Sequence, residues 1–399
     1  MSARQLNQRK KQAGIISQNV NRLSPSGIRK FFDLLASMEG VISLGVGEPD
    51  YPTPWHIREA GIQAVEKGYT HYTSNSGMPE LRQELSRYLR ESYDVEYNPD
   101  SELLITIGVS EALDLAMRAI LNPGDEIIMP DPRYVAYDSC VLLAGGEPIS
   151  VPTRQENNFE LSAADVEARI TDRTKAILIG YPANPTGAVM SRDELLEIAE
   201  VARRHQLLVV SDEIYARLVY GVEHTCFASL PGAKESTILL GGFSKAYAMT
   251  GWRIGYAAAA KDIIDAMTKI HQYTMMCVPT MAQVAAIEAL RSGESSVVEM
   301  VEDYNQRRQV IVNGLNNIGL PCFEPRGAFY AFPSIASTGM TSEEFSEKLL
   351  VEEKVAVVPG SAFGNCGEGY VRCCYATSLA DIREALARMK RFVNKYRKV

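Results

Sequence analysis

The sequence predicts an α/β protein in which helices cover both faces of a mostly parallel sheet, with a smaller α+β part near the C-terminus. From about residue 45 to 290, short apolar segments alternate with stretches whose apolar residues recur at helical spacing. Strands separated by helices are typical of a parallel sheet buried on both faces. After residue 290 the pattern changes to polar helices and a few short strands.

Five apolar segments of the first part are interpreted as strands. They are short and rich in branched side chains, and they cover residues 103–107, 126–129, 176–181, 207–211 and 237–240. After the first of them, apolar residues at 112, 115, 116, 119 and 120 predict a helix. We therefore expect a large three-layer domain over residues 45–290.

The rest of the chain predicts a second, smaller domain. A long polar helix is expected over 297–318, strands near 329–332, 355–360 and 370–375, and an amphipathic helix at the end. We assign residues 291–399, together with the segment 1–44, to this α+β domain.

Composition indicates an ordinary globular protein and argues against several classes. Of the 399 residues, 46% are hydrophobic and 23% are charged, and the net charge of −8 disfavours binding to nucleic acid or to anionic membranes. No apolar run approaches the roughly 18 residues of a membrane span. Residues 1–12 show no apolar core of a secretory signal.

Cysteine and histidine spacing predicts neither disulfides nor a metal site. The seven cysteines form an odd set without a C-x-x-C pair, and the five histidines include no H-E-x-x-H motif. Free thiols fit a reducing compartment. We therefore expect a cytoplasmic protein that binds no metal.

The segment 241–256 carries the strongest chemical signal. It follows the predicted strand 237–240 and contains Ser244, Lys245, Thr250 and Arg253 in close succession. Open α/β sheets build binding sites at the carboxyl ends of their strands. An amine that can form a Schiff base, beside hydroxyl and cationic phosphate ligands, suits pyridoxal phosphate. The alternative is a solvated loop lysine and a surface arginine.

Polar residues also follow two neighbouring strands. Asn184 comes after the strand 176–181, and Asp212 and Tyr215 come after the strand 207–211. A buried, unpaired Asp212 would be costly, and a protonated pyridine nitrogen would be a suitable partner. The alternatives are a helix N-cap for Asp212 and an extended turn before proline for Asn184.

Two further residue groups could contact a phosphorylated ring. Gly108, Val109 and Ser110 open a predicted helix, whose backbone N–H groups and dipole could hold a phosphate. Tyr134 follows another strand end and could stack on a ring, or pack in the core instead.

Seven segments in order resemble the class I/II aminotransferases, which are pyridoxal-phosphate enzymes of fold type I. They cover residues 45–50, 72–82, 184–187, 212–215, 244–256, 325–330 and 370–372. The resemblance therefore extends over most of the chain and implies that fold for the large domain.

The resemblance implies a role for each matching residue. Lys245 would hold pyridoxal phosphate and act as general base, and Asp212 would keep the pyridine nitrogen protonated. The other implied cofactor contacts are the 3′-oxygen ligands Asn184 and Tyr215, the stacking ring of Tyr134, and the phosphate ligands Val109, Ser110, Ser244 and Arg253.

Substrate and subunit contacts are implied in the same way. Arg372 would bind the α-carboxylate of the substrate through a bidentate fork that lysine cannot form. Gly47 and Asn184 would lie against the substrate. Tyr72 would reach the phosphate in the neighbouring subunit, which implies a homodimer with shared active sites.

The implied activity is transamination between an L-amino acid and a 2-oxo acid. Aspartate, aromatic, alanine-type and acylated diaminopimelate substrates all fit. Ser110 stands where some bacterial aspartate aminotransferases carry a lysine that binds the distal carboxylate. Arg133 or Arg326 could substitute for it, although we expect both to be solvated at the surface.

Two other functions are compatible with the same cofactor site. A pyridoxal-phosphate β-lyase would release pyruvate without an amino acceptor. The second is a non-catalytic ligand-binding module. As a regulator it would need a DNA-binding extension, and we expect the residues before Gly45 to be too few to form one. The presence of Lys245, Asp212 and Arg372 together argues against a catalytically inactive binding protein.

Overall fold

The computed structural model of the protein describes residues 14–23 and 38–397. Of the segment 1–44 that we assigned to the smaller domain, residues 1–13 and 24–37 lie outside the described part, as do residues 398–399. Among the described residues, no helix combines the length and apolar character needed to span a membrane.

Helices and strands alternate along most of the described chain. The strands are β1 Ile42–Ser43, β2 Leu103–Thr106, β3 Glu126–Asp131, β4 Glu147–Pro152, β5 Thr174–Ile179, β6 Leu208–Asp212, β7 Thr237–Gly242, β8 Gly255–Ala258, β9 Tyr330–Ala331, β10 Val355–Ala356, β11 Val358–Pro359 and β12 Val371–Cys374. The helices are α1 Gln18–Asn21, α2 Trp55–Glu66, α3 Pro79–Tyr93, α4 Gly108–Ile120, α5 Ala136–Leu143, α6 Ala163–Glu167, α7 Arg192–Arg204, α8 Lys261–Thr274, α9 Thr280–Ser292, α10 Glu294–Asn317, α11 Ser342–Glu353 and α12 Leu379–Tyr396.

A seven-stranded, mostly parallel sheet forms the centre of the fold, which confirms the predicted class. Its strand order is β2-β8-β7-β6-β5-β3-β4. Strand β8 runs antiparallel to both of its neighbours, and the other pairs in the sheet are parallel. All five predicted strands are present, whereas β4 and β8 were not predicted.

Helices cover both faces of this sheet, as the continuous apolar strands require. In β5, Ala176 and Leu178 face the layer that contains α4 and α8. Ile177 and Ile179 face the opposite side, where α7 packs. Side chains that alternate between two buried layers are the expected result of the two-residue strand period.

Two small sheets are built from the later strands. Strands β11, β12 and β9 form an antiparallel sheet in that order, and β1 pairs in parallel with β10. The predicted strand 355–360 is two strands, β10 and β11, which are separated at Val357. Strand β10 pairs with β1, whereas β11 pairs with β12. Strand β1 thus pairs with a strand of the C-terminal region. The division into two domains, with its boundary near residue 290, stays a prediction.

The carboxyl groups of Glu160 and Glu194 predict a pH-dependent contribution to stability. Burial, and then the hydrogen bond and the charge of Glu194, raise the pKa of Glu160 to about 8. A carboxyl whose pKa is raised by folding stabilises the fold at low pH, and this contribution is lost as the pH rises towards 8. We expect the melting temperature of Glu160→Gln to decrease less between pH 5 and pH 9 than the melting temperature of the wild-type protein does.

Calorimetry at the two pH values measures this difference. Glu200→Gln is the control, because Glu200 lies in α7 with half of its side chain exposed and is paired with Arg203. A parallel decrease in melting temperature for the wild type and Glu160→Gln would contradict the assignment.

Candidate active site

A cavity of about 520 Å³ opens at the carboxyl ends of the central strands. Residues after β2, β3, β5, β6 and β7 meet there, as expected for an open α/β sheet. Eleven of the predicted site residues line it: Gly47, Val109, Ser110, Tyr134, Asn184, Asp212, Tyr215, Ser244, Lys245, Arg253 and Arg372.

Lys245 lies just beyond the end of β7, with its amine inside the cavity. Its Nζ donates a hydrogen bond to the carbonyl oxygen of Gly47 at 2.7 Å. The rings of Tyr215 and Phe329 lie 5.8 and 5.7 Å from the same nitrogen. Burial lowers the pKa of Lys245 to about 8. The unprotonated fraction of this amine near neutral pH is therefore much larger than that of a solvated lysine, and the unprotonated form is the one that a nucleophile or a general base requires.

Asp212 is the last residue of β6, and its carboxylate is buried at the floor of the cavity. Oδ2 accepts a hydrogen bond from the hydroxyl of Tyr137 at 2.9 Å, and Oδ1 accepts one from the backbone N–H of Ile214 at 3.2 Å. Burial raises the pKa of Asp212 to about 6. No helix follows Asp212, so the N-cap alternative is wrong.

Tyr137 is a site residue that sequence reasoning missed. It lies in the first turn of α5, and its ring packs edge-on against Tyr134 with centroids 5.6 Å apart. The pair of tyrosines three residues apart after a strand end was a signal, because helical neighbours at that spacing share a face.

The N-terminus of α4 and the segment around Arg253 form a cradle for an anion. Gly108 has φ +70°, and a Cβ there would lie 2.8 Å from Nη2 of Arg253. A Cβ on Gly255 would lie 2.7 Å from the backbone nitrogen of Val109. The two glycines thus allow the guanidinium and the helix N-terminus to come together. With the hydroxyls of Ser110 and Ser244, this geometry suits a phosphate.

Arg372, in β12, is buried on another side of the cavity. Its Nη1 donates to Oδ1 of Asn184 at 2.8 Å, and its Nη2 donates to the carbonyl oxygen of Gly45 at 2.8 Å. The rings of Tyr330 and Phe363 lie 4.5 and 4.9 Å from the guanidinium carbon. Its Nε is buried without a hydrogen-bond partner. This positive, rigidly held group is suited to a carboxylate.

Tyr330, for which the sequence predicted no separate role within the segment 325–330, connects the two sides of the cavity. Its hydroxyl is 2.7 Å from that of Tyr215. A Cβ on Gly47 would lie 2.5 Å from the same Tyr330 oxygen, so a larger residue would displace the chain from the ring. The side chains of Tyr215, Tyr330 and Arg372 therefore form one packed wall.

Three predicted residues lie outside the cavity. Tyr72 is 81% exposed, so it contributes nothing to the cavity of its own chain. Arg326 is exposed, as predicted. Arg133 is only 7% exposed, so the predicted surface role is wrong. Its guanidinium donates to both carboxylate oxygens of Asp138 and to the hydroxyl of Ser150. Arg133 is therefore hydrogen-bonded to other residues of the fold.

The fold and the cavity define a class of enzyme with a partly buried lysine at a strand end beside an anion cradle. The family model "Aminotransferase class I and II" matches residues 39–389. The chain therefore belongs to the class I and II aminotransferases and is an enzyme that catalyses transamination, as the sequence predicted.

Individual relatives agree with this assignment. The chain is 59% identical to a putative aminotransferase of Bacillus subtilis over 380 residues, which is 95% of this chain and 98% of that protein. It is 46% identical to an aspartate aminotransferase of Pyrococcus abyssi, over 94% of this chain and 97% of that one. The crystal structure of an aromatic aminotransferase from Pyrococcus horikoshii matches with TM-score 0.88 and 43% identity, over 92% of this chain and 99% of that one.

The lowered pKa of Lys245 can be tested without any cofactor. We expect Lys245 in the cofactor-free protein to react with trinitrobenzenesulfonate with a half-maximal rate near pH 8, because burial disfavours its ammonium form. Peptide mass spectrometry at a series of pH values measures this rate. The exposed Lys261 is the control. Its pKa is raised by its hydrogen bond to Asp265, so its reaction should reach the half-maximal rate at a higher pH. Identical pH profiles would contradict the burial argument.

Proposed function

We propose that the enzyme uses pyridoxal phosphate to transfer the amino group of an L-amino acid to a 2-oxo acid. Class I and II aminotransferases depend on this cofactor in general. The observation that carries the proposal is that a desolvated amine, Lys245, and a desolvated carboxyl, Asp212, lie in the same cavity as an anion cradle. The bound cofactor would supply an aldehyde that joins to amines and a ring that accepts electrons.

Each part of the cofactor has a partner of suitable chemistry. The phosphate would bind the N–H groups of Val109 and Ser110, together with Ser244 and Arg253. The carboxylate of Asp212 would face the pyridine nitrogen, and Tyr137 would hold that carboxylate in place. The further contacts proposed are the ring of Tyr134 on the cofactor face and the polar groups of Asn184 and Tyr215 at the 3′-oxygen.

Lys245 has two tasks in this proposal. Its amine would hold the aldehyde covalently until an amino acid replaces it. The freed amine, with its lowered pKa, would then take the proton from the α-carbon of the amino acid as a general base. The carbonyl oxygen of Gly47, 2.7 Å from Nζ, would orient the amine for this transfer.

Arg372 would position the amino acid by binding its α-carboxylate. Asn184 accepts a hydrogen bond from Nη1 and Gly45 accepts one from Nη2, which occupies one N–H group of each nitrogen. Nε has no partner. The guanidinium therefore retains donors for a carboxylate. We propose an aspartate, aromatic or alanine-type substrate. Relatives that are named aspartate and aromatic-amino-acid aminotransferases support the first two.

We further propose a cytoplasmic homodimer whose sites are shared between subunits. Tyr72 would bind the phosphate of the partner's site. Its neighbour Tyr69 and the residues Tyr273, Met275 and Met276 are exposed apolar side chains, a pattern that marks interfaces. The two segments are connected, because Asn75 donates to the carbonyl of Met276. The free state of all seven cysteines supports a reducing compartment.

Replacement of Lys245 tests the function directly. We expect Lys245→Ala to abolish the half-reaction, because both the covalent anchor and the base are lost. Single amino acids are added to the protein loaded with pyridoxal phosphate, and the cofactor absorbance is followed. Borohydride should fix the cofactor on Lys245 of the wild type and of the control Lys261→Ala, in which an exposed lysine is removed. A wild-type protein that responds to no amino acid would contradict transamination.

A second prediction concerns the α-carboxylate. We expect Arg372→Lys to lower kcat/KM by about 10- to 100-fold, because lysine cannot form a bidentate pair and hydrogen bonds between charged groups contribute on this scale. The matched control Arg326→Lys changes an exposed arginine and should leave kcat/KM within about twofold. Equal values for the two variants would exclude Arg372 as the carboxylate ligand.

A further inference from the structure

The chain segment 45–50 crosses the cavity and touches two of its functional side chains through backbone atoms. The carbonyl oxygen of Gly45 accepts from Nη2 of Arg372 at 2.8 Å, and that of Gly47 accepts from Nζ of Lys245 at 2.7 Å. Backbone carbonyls orient their partners only if the segment itself is held in place. The orientation of Arg372 and Lys245 therefore depends on the residues that hold the segment 45–50.

Arg307, in the middle of the long helix α10, holds the end of this segment. Its Nη1 donates to Oδ2 of Asp50 at 2.7 Å and to the carbonyl oxygen of Thr377 at 2.8 Å. Thr377 lies just beyond β12, the strand that carries Arg372. One guanidinium thus connects the segment over the cavity with the chain that leaves the carboxylate-binding strand.

The guanidinium of Arg307 is itself tightly held. It is 7% exposed, and the rings of Tyr51 and Tyr304 lie 5.5 and 5.3 Å from its central carbon. Its Nη2 is 2.5 Å from Oδ2 of Asp303, which also accepts from the hydroxyl of Tyr51 at 2.5 Å. Burial, and then Asp303, raise the pKa of Tyr51 to about 12, so this hydroxyl remains a donor.

The cluster is continuous with the cavity wall. The ring of Tyr304 packs against Phe329 with centroids 5.8 Å apart, and Phe329 in turn lies against Lys245 and Tyr215. A displacement of Arg307 would therefore reach the site through the segment 45–50 and through this packing.

We infer that Arg307 is a positioning residue for amino-acid binding, acting through Asp50 and the segment 45–50 on Arg372. The inference rests on the proposed function, in which Arg372 binds the α-carboxylate. Arg307 does not touch the cavity. Its contribution is to fix the carbonyl oxygens that set the orientation of Arg372 and Lys245.

The chain offers a matched control for this role. Arg308 is the next residue in α10, is 8% exposed and is also ion-paired, in its case with Glu324. Its other partners are the side chain of Asn305, the carbonyl of Pro325 and the ring of Tyr220, none of which belongs to the segment 45–50. Loss of Arg308 thus measures the general cost of removing a buried, paired arginine from this helix.

The experiment compares Arg307→Gln, Asp50→Asn, the double variant and Arg308→Gln. For each protein we measure the amino-acid concentration that half-saturates the half-reaction, its limiting rate and the melting temperature. Amide hydrogen exchange of a peptide covering residues 45–50 is measured in the cofactor-free protein. Asp50→Asn keeps the test possible if Arg307→Gln does not fold, because the Asp50 side chain is 31% exposed.

We expect Asp50→Asn to raise the half-saturating concentration about tenfold, the effect of losing one hydrogen bond to a charged group. Arg307→Gln should raise it at least as much, because this variant also loses the bonds to Thr377 and Asp303. The double variant should be no worse than the more affected single variant, because both remove the same interaction. Exchange of residues 45–50 should accelerate in all three and not in Arg308→Gln. The inference would be overturned if Arg307→Gln and Asp50→Asn had the same half-saturating concentration and the same exchange of residues 45–50 as Arg308→Gln. Additive effects in the double variant would also overturn it. A wild type inert towards every amino acid would refute the proposed function instead, and the exchange comparison would still decide whether Arg307 holds the segment.

Discussion

Removal of water from two ionisable groups at neighbouring strand ends is the constraint on which the site depends. Strands β6 and β7 are adjacent and parallel, so Asp212 and Lys245 reach the same edge of the sheet. Burial moves their pKa values towards each other, to about 6 for the carboxyl and about 8 for the amine. Both groups therefore respond to small changes in their surroundings near neutral pH.

The rest of the cavity compensates for this burial while leaving room for a ligand. The hydroxyl of Tyr137 donates to Asp212, and the carbonyl of Gly47 accepts from Lys245. These bonds come from a helix after β3 and from the segment before α2, which are far apart in the sequence. The buried charges thus connect distant parts of the chain, and Arg307 extends this connection to α10.

The sequence predicted what depends on local pattern. Apolar runs located the five strands, and the polar residues after them located the cavity, because parallel strands converge at their carboxyl ends. Strand β4 was missed because most of its side chains are only partly buried, and β8 because Gly255, Tyr256 and two alanines form a short, weakly patterned strand. The error for Arg133 follows, since its partner Ser150 lies on β4. The spacing of Tyr134 and Tyr137 indicated a shared face, but not that Tyr137 donates to Asp212. The role of Arg307 depends on tertiary contacts that no spacing shows.

In the proposed reaction, the buried carboxylate of Asp212 acts electrostatically on the pyridine ring of the cofactor. The most direct measurement is the single-turnover rate of the half-reaction for Asp212→Asn and for the wild type, each saturated with pyridoxal phosphate. Asparagine keeps the shape and removes the charge, so the rate should decrease by about 100-fold or more, the scale expected for a preorganised electrostatic contact. A rate within about threefold of the wild type would contradict the account.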